Sequence, residues 1–210
     1  MSESHSHVHG TSSDIRLAFL LNLAFTVLEI AGGLWTNSLA ILSDALHDFG
    51  DSISLGISWY LNAYSERRGD ATYSYGYRRF SLLGALINTV VLIVGSLFVL
   101  SEAVPRLLDP QPSNAPGMVL FAIVGIAVNG AAALRLKRGA TLNAQVIAWH
   151  LLEDVLGWVA VLVVSIAMLF VDADILDPIL SILIALYVSY NVLRNMKKTL
   201  SLFLQAVPED

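Results

Sequence analysis

Two His-x-x-x-Asp pairs, His47 with Asp51 and His150 with Asp154, supply the side chains best suited to chemistry in this chain. The first pair lies in Ser38–Leu61, SLAILSDALHDFGDSISLGISWYL, an apolar stretch of membrane-spanning length with one His and three Asp near its middle. At 100° per residue, Asp44, His47, Asp48 and Asp51 fall within about 100° of arc, the i, i+3, i+4, i+7 stripe of one helix face. Each carboxylate at a bilayer centre costs on the order of 2.5 to 3.5 kcal/mol, and the stretch contains no Lys or Arg to offset it. A neutralising charge must come from elsewhere. The second pair lies in WHLLEDVLGWVAVLVVSIAMLF from Trp149, with Glu153 between its members. Two imidazoles and two monodentate carboxylates make a four-ligand nitrogen and oxygen set. That set suits tetrahedral zinc, and also cobalt or cadmium, whereas calcium and magnesium want more oxygens. The plainer alternative, a His that only hydrogen-bonds within a helix bundle, fits less well. Of five His, three sit near the N-terminus and each of the other two stands four residues before an Asp.

The elements that must position these residues are transmembrane helices. Hydrophobic residues make up 56% of the chain and charged ones only 14%, where a soluble domain of this length carries about a quarter. The sequence therefore predicts an all-α, polytopic six-helix bundle. Its apolar windows run approximately Ile15–Trp35, Leu39–Leu61, Leu82–Leu100, Met118–Leu134, Gln145–Phe170 and Ile175–Val192. There is no Cys, so any metal is held by nitrogen and oxygen. The start, MSESHSHVHG, has no basic stretch leading into an apolar one, so no cleaved signal peptide is read. Residues 1–13 read as a disordered cytoplasmic tail in which His5, His7 and His9 could collect metal weakly. Residues 14–204 read as the transmembrane domain and 205–210 as a short end.

Loop composition sets an orientation. Of the twelve Lys and Arg, only Arg106 falls in the set formed by Trp35–Ser38, Ser101–Gly117 and Val171–Asp174. The positive-inside rule then puts both termini in the cytoplasm, and in a prokaryote the membrane would be the plasma (inner) membrane. Pro105, Pro110, Pro112 and Pro116 mark Ser101–Gly117 as an irregular outer loop, and Asp177-Pro178 opens the sixth helix. Counted from the span ends, His47 and Asp51 lie near mid-depth, while His150 and Asp154 lie slightly toward the cytoplasm. A tilt of about 20° would level them. The matched pairs on helices 2 and 5 also suggest an inverted three-plus-three repeat with the site at its interface.

Asp44, Asp48 and Glu153 could orient the imidazoles, guide cations or carry protons, and the spacing does not separate these roles. Glu29, Asn22, Asn88 and Asn129 read as interhelical hydrogen-bond partners. An intramembrane hydrolase with Glu153 as general base would want three protein ligands and an open position, and four convergent ligands argue against it. A channel or sensor would want weak, multiple sites. A carrier, and no enzyme, is the expectation, and no nucleic-acid partner is expected.

The stretches LEIAGGLWTNSLAILSDALHDFGD (Leu28–Asp51), YSYGYRRFSLLGALIN (Tyr73–Asn88), HLLEDVLG (His150–Gly157) and DPILSILIALYV (Asp177–Val188) resemble the cation diffusion facilitator family across nearly all of Asp14–Glu209. The resemblance implies a six-helix, usually dimeric exporter of zinc and related divalent metals, embedded in lipid and driven by protons. It implies a metal site at His47, Asp51, His150 and Asp154. Three departures stand out. Family members usually continue past Val207–Glu209 into a soluble metal-binding domain, where this sequence stops. Many have Arg-x-Glu where this chain has Ser81 at the third position, and many have a small residue in place of Glu153.

The orientation is checked by single cysteines. Ser4→Cys and Ser201→Cys should be labelled only from the cytoplasmic side and Ser113→Cys only from outside; cytoplasmic labelling at position 113 would overturn the six-span arrangement.

Overall fold

The computed structural model describes residues 8–65, 80–137 and 142–203. They form six helices: α1 (Val8–Thr36), α2 (Leu39–Ser65), α3 (Phe80–Leu108), α4 (Ala115–Lys137), α5 (Leu142–Phe170) and α6 (Leu176–Phe203). No strand occurs among the described residues. Five of the six, all but α2, contain a window long and apolar enough to cross a membrane. The exception has the length, 27 residues, but is loaded with His47 and three acids. The protein is thus a polytopic helical membrane protein in which the most polar helix carries one of the two His-x-x-x-Asp pairs.

Element bounds differ from expectation in two places. Val8–Ser13, expected in the tail, belong to α1, whereas residues 1–7, with His5 and His7, and 204–210 lie outside the described residues. The expected Ser101–Gly117 loop shrinks to residues 109–114, because α3 runs through Pro105 to Leu108 and α4 takes Pro116 into its first turn. Proline removes one N–H and crowds the carbonyl four residues back. One turn from a helix end, or in a first turn where N–H groups have no partner anyway, that loss is small.

The chain divides into two compact units, neither of which is a sequence half. The larger comprises residues 28–45 and 96–186. In it, α1 ends at a two-residue link. Asn37, at φ 54°, takes the left-handed conformation that closes a helix, and the Ser38 amide donates to the Gly33 carbonyl at 3.0 Å. Ser38 then caps α2, its hydroxyl accepting from the Ile41 amide at 3.2 Å. A buried carboxylate completes the cap from the first turn of α6. Asp177 accepts from the Ser38 hydroxyl at 2.6 Å and from the Leu39 and Ala40 amides at 2.7 and 3.2 Å. The link is also tied to the outer connection, where Asn37 donates to the Pro112 carbonyl, and its own carbonyl accepts from Arg106 and from the Ser113 hydroxyl. Packing of α4 on α5 is equally close. The Trp158 indole, 1% exposed, lies on Gly125 so tightly that a methyl group there would overlap the ring.

The smaller unit comprises residues 1–27, 46–95 and 187–210. Its α1 and α2 touch at Phe19 on Gly56, and Asn22 Nδ2 donates to both the Asp48 carbonyl and the Ser52 hydroxyl at 2.9 Å. Its α2 and α3 meet where Leu92 and Asn88 lie against Gly50, which leaves no room for a side chain.

The Asp177 cap can be tested by stability. Asp177→Ala strands three buried donors, so it should destabilise the protein by about 3 kcal/mol or more. Asp177→Asn, which keeps one acceptor oxygen, should cost less. Thermal unfolding in detergent measures both, and an unchanged midpoint for Asp177→Ala would show that the cap contributes nothing.

Candidate metal site

Helical spacing carries each His toward the Asp one turn on, and the side chains converge as that spacing demands. On α2, His47 Nε2 lies 3.7 Å from Asp51 Oδ2, with the side chains 25% and 22% exposed. On α5, His150 Nε2 lies 4.0 Å from Asp154 Oδ2, with His150 open at 41% and Asp154 buried at 9%. These separations exceed those of a hydrogen bond. Two ligand atoms at zinc-bond length on one tetrahedral ion sit about 3.3 Å apart. Each pair is therefore nearly set to chelate one cation, and a small rotamer adjustment closes the gap.

The other acids divide. Asp44 and Asp48 are buried at 8% and 4% exposure, on the same α2 face as His47 and Asp51. Asp44 turns toward α5, where its Oδ1 would lie 3.7 Å from a Cβ built on Gly157. Gly157 is one turn beyond Asp154, and a methyl group there would make ordinary contact with the Asp44 carboxylate. Glu153, by contrast, is exposed. Its 300° offset from His150 is close enough on a helical wheel to suggest the same face, yet α5 packs so that Glu153 lies outside.

Of the residues read as interhelical partners, Asn22 is one, bonded across to α2 beside Asp48. Asn129 is not, because its amide donates to the Gly125 carbonyl one turn back on its own helix. Glu29 is buried at 1%. Asn88 Oδ1 is buried with no hydrogen-bond partner among the described residues and lies against Gly50, which stands between Asp48 and Asp51 on α2. Ser52 was missed by sequence reasoning. Only its position on α2, one residue past Asp51, could have singled it out.

Comparison with known proteins covers nearly the whole chain. The family model described as the cation efflux transmembrane domain matches residues 15–204. Zinc transporter ZitB of Pectobacterium atrosepticum is 34% identical over 99% of this chain and 66% of its own length. The cadmium, cobalt and zinc/H(+)-K(+) antiporter of Bacillus subtilis is 31% identical over 98% of this chain and 68% of its own. The metal cation efflux system protein CzcD of Cupriavidus metallidurans is 31% identical over 99% and 66%. The chain thus spans about two thirds of the length of these relatives. An all-helical membrane fold, two His-x-x-x-Asp pairs at chelating separation and a family match over nearly the whole chain converge: the protein belongs to the cation efflux transmembrane domain family, a family of transporters and not of enzymes.

Proposed function

We propose that this chain carries zinc, or the related cadmium and cobalt, out of the cytoplasm in exchange for protons, the cation being held by His47, Asp51, His150 and Asp154. The observation that carries the proposal is the pair of i, i+4 chelates, 3.7 and 4.0 Å between nitrogen and oxygen, on two membrane helices. Helix register supports joining them. With α2 descending and α5 ascending through the membrane, the approach of Asp44 to Gly157 fixes a level on both helices. Counting at about 1.5 Å per residue along ideal helices from that level, His47 would come opposite Asp154 one turn inward and Asp51 opposite His150 two turns inward, which supports a shared ion. Each imidazole then faces the other helix's carboxylate, which spreads the negative charge around the ion. Asp44 and Asp48 would flank it on the α2 side, and Glu153, being exposed, would act on protons or cations outside the ligand set.

The charge balance supplies the coupling. Two ionised carboxylates and one divalent cation are formally neutral, and so are two protonated acids. Either state can cross a low-dielectric barrier, whereas the bare dianion is held back by the cost of its charge. Metal binding requires neutral imidazoles and ionised acids, so it expels protons held there. An empty, deprotonated carrier cannot reorient, and an outside more acidic than the cytoplasm gives export. Rocking of the helices would open the site alternately to each side. Both termini are cytoplasmic in this reading, the membrane in a prokaryote would be the plasma membrane, and the working form is a homodimer. The names of the relatives, a zinc transporter, a cadmium, cobalt and zinc/H(+)-K(+) antiporter and a metal cation efflux protein, agree with the proposed substrate class, and the second agrees with proton exchange.

Purified protein in sealed vesicles with an imposed pH gradient should take up zinc and move protons the opposite way, and Asp51→Asn should abolish both. Zinc flux without proton counterflow in the wild type would refute the antiport while leaving the site intact. His47→Asp trades an imidazole for oxygen, so it should weaken discrimination for zinc and admit harder ions such as manganese. Unchanged selectivity in a metal-competition assay would remove His47 from the ligand set.

A further inference from the structure

The seam between α2 and α3, which lies within the smaller unit over residues 46–57 and 84–95, holds a buried polar atom with no donor. Three contacts fix which side of α2 meets α3. Leu46 lies against Gly95, Leu92 and Asn88 lie against Gly50, and Ile57 lies against Gly84. On a helical wheel, positions 46, 50 and 57 fall within about 40° of arc, centred about 80° from His47. Asp51, Asp44 and Asp48 stand further round, at about 120°, 140° and 180° from that centre. Of the His and three acids on this helix, His47 is therefore the one that borders α3. The atom is Asn88 Oδ1, which has no hydrogen-bond partner among the described residues. It would lie 2.9 Å from a Cβ on Gly50, so the absence of a side chain there brings the amide oxygen onto the α2 backbone, one turn from His47. A buried acceptor without a donor is costly in a membrane, where no bulk water replaces one, and such an atom marks a place for a donor.

We propose that Asn88 is a positioning residue for the transported cation: its Oδ1 accepts the Nδ1–H of His47 when Nε2 of that ring ligates zinc. The inference rests on His47 being a ligand, as proposed above. Nε2 is the ring nitrogen turned toward Asp51, 3.7 Å from its Oδ2, so a chelate formed by that pair uses Nε2. A neutral imidazole carries one proton, and ligation through Nε2 leaves it on Nδ1. An acceptor for that N–H fixes the tautomer, holds the ring plane toward the ion and makes Nε2 more basic. An amide oxygen does this without adding charge, so the two carboxylates of the site still balance a divalent ion. Gly50 is then needed as well, because any side chain there would push Asn88 and Leu92 away from α2.

Zinc affinity of the full chain in detergent is measured by competition with a fluorescent chelator. Asn88→Leu, a change of similar size, should weaken it about 10- to 100-fold, the usual effect of removing the hydrogen-bond partner of a metal-bound His. Asn88→Asp keeps an acceptor oxygen at the same place and should bind at least as tightly as the wild type. A His47→Asp background has no N–H to hold, so in it Asn88→Leu should leave affinity unchanged. An equal loss in the two backgrounds would show that Asn88 only packs the seam, and a loss in Asn88→Asp as large as in Asn88→Leu would show that the amide donates. Either result overturns the proposal, as does an unchanged affinity in Asn88→Leu while His47→Asp weakens binding. Should His47→Asp itself leave zinc affinity and selectivity unchanged, the ligand set fails, and this role for Asn88 falls with it.

Discussion

A carboxylate placed in a membrane helix must be matched by positive charge or by donors, and this chain meets that demand in two ways. Asp177 is matched internally, by a hydroxyl and two amides at the open end of α2, where the partial positive charge of the helix terminus adds to the hydrogen bonds. The carboxylates of the His-x-x-x-Asp pairs instead lie beside imidazoles at separations too long for hydrogen bonding and near those around a metal ion. One arrangement holds the acid permanently. The other suits an acid whose counter-charge comes and goes. The same helix takes part in both, since α2 receives the Asp177 cap at its first residues and carries His47 and Asp51 two to three turns later.

Packing keeps these groups in register by removing bulk where helices approach. Gly50 admits Leu92 and Asn88 to the backbone of α2, and Gly125 admits the Trp158 indole to α4. In lipid, where burial of apolar surface between helices gains little, such close approach is the main source of association. Trp158 also shares α5 with His150 and Asp154, one turn past Asp154, so the contact that seats α5 on α4 sits directly beside that pair.

The polar residues were legible because a membrane segment makes each of them costly. His47, Asp51, His150 and Asp154 stand out from a background of Leu, Val and Ala, and the four-residue spacing follows from the helix alone. The helices themselves were equally legible, but their ends were not. Pro105 and Pro116 read as loop markers although one turn of helix survives on the far side of Pro105. Residues 8–13 look like polar tail yet extend α1. Glu153 shows the limit of wheel reasoning, since only about 60° of azimuth separates it from His150, and whether it is exposed depends on how α5 is rotated in its packing. The Asp177 cap was invisible in kind: an Asp-Pro at a helix start predicts a local cap, and the donors it serves lie about 138 positions away in sequence.

The two-residue link of Asn37 and Ser38 has a consequence for biogenesis. Its three acids leave α2 without a window as apolar as those of the other helices, while α1 contains an 18-residue one. A left-handed turn of two residues leaves no slack between them. The short link therefore suits entry of the pair as a helical hairpin, with the apolar partner offsetting the acidic one, and a longer spacer at this point would loosen that coupling.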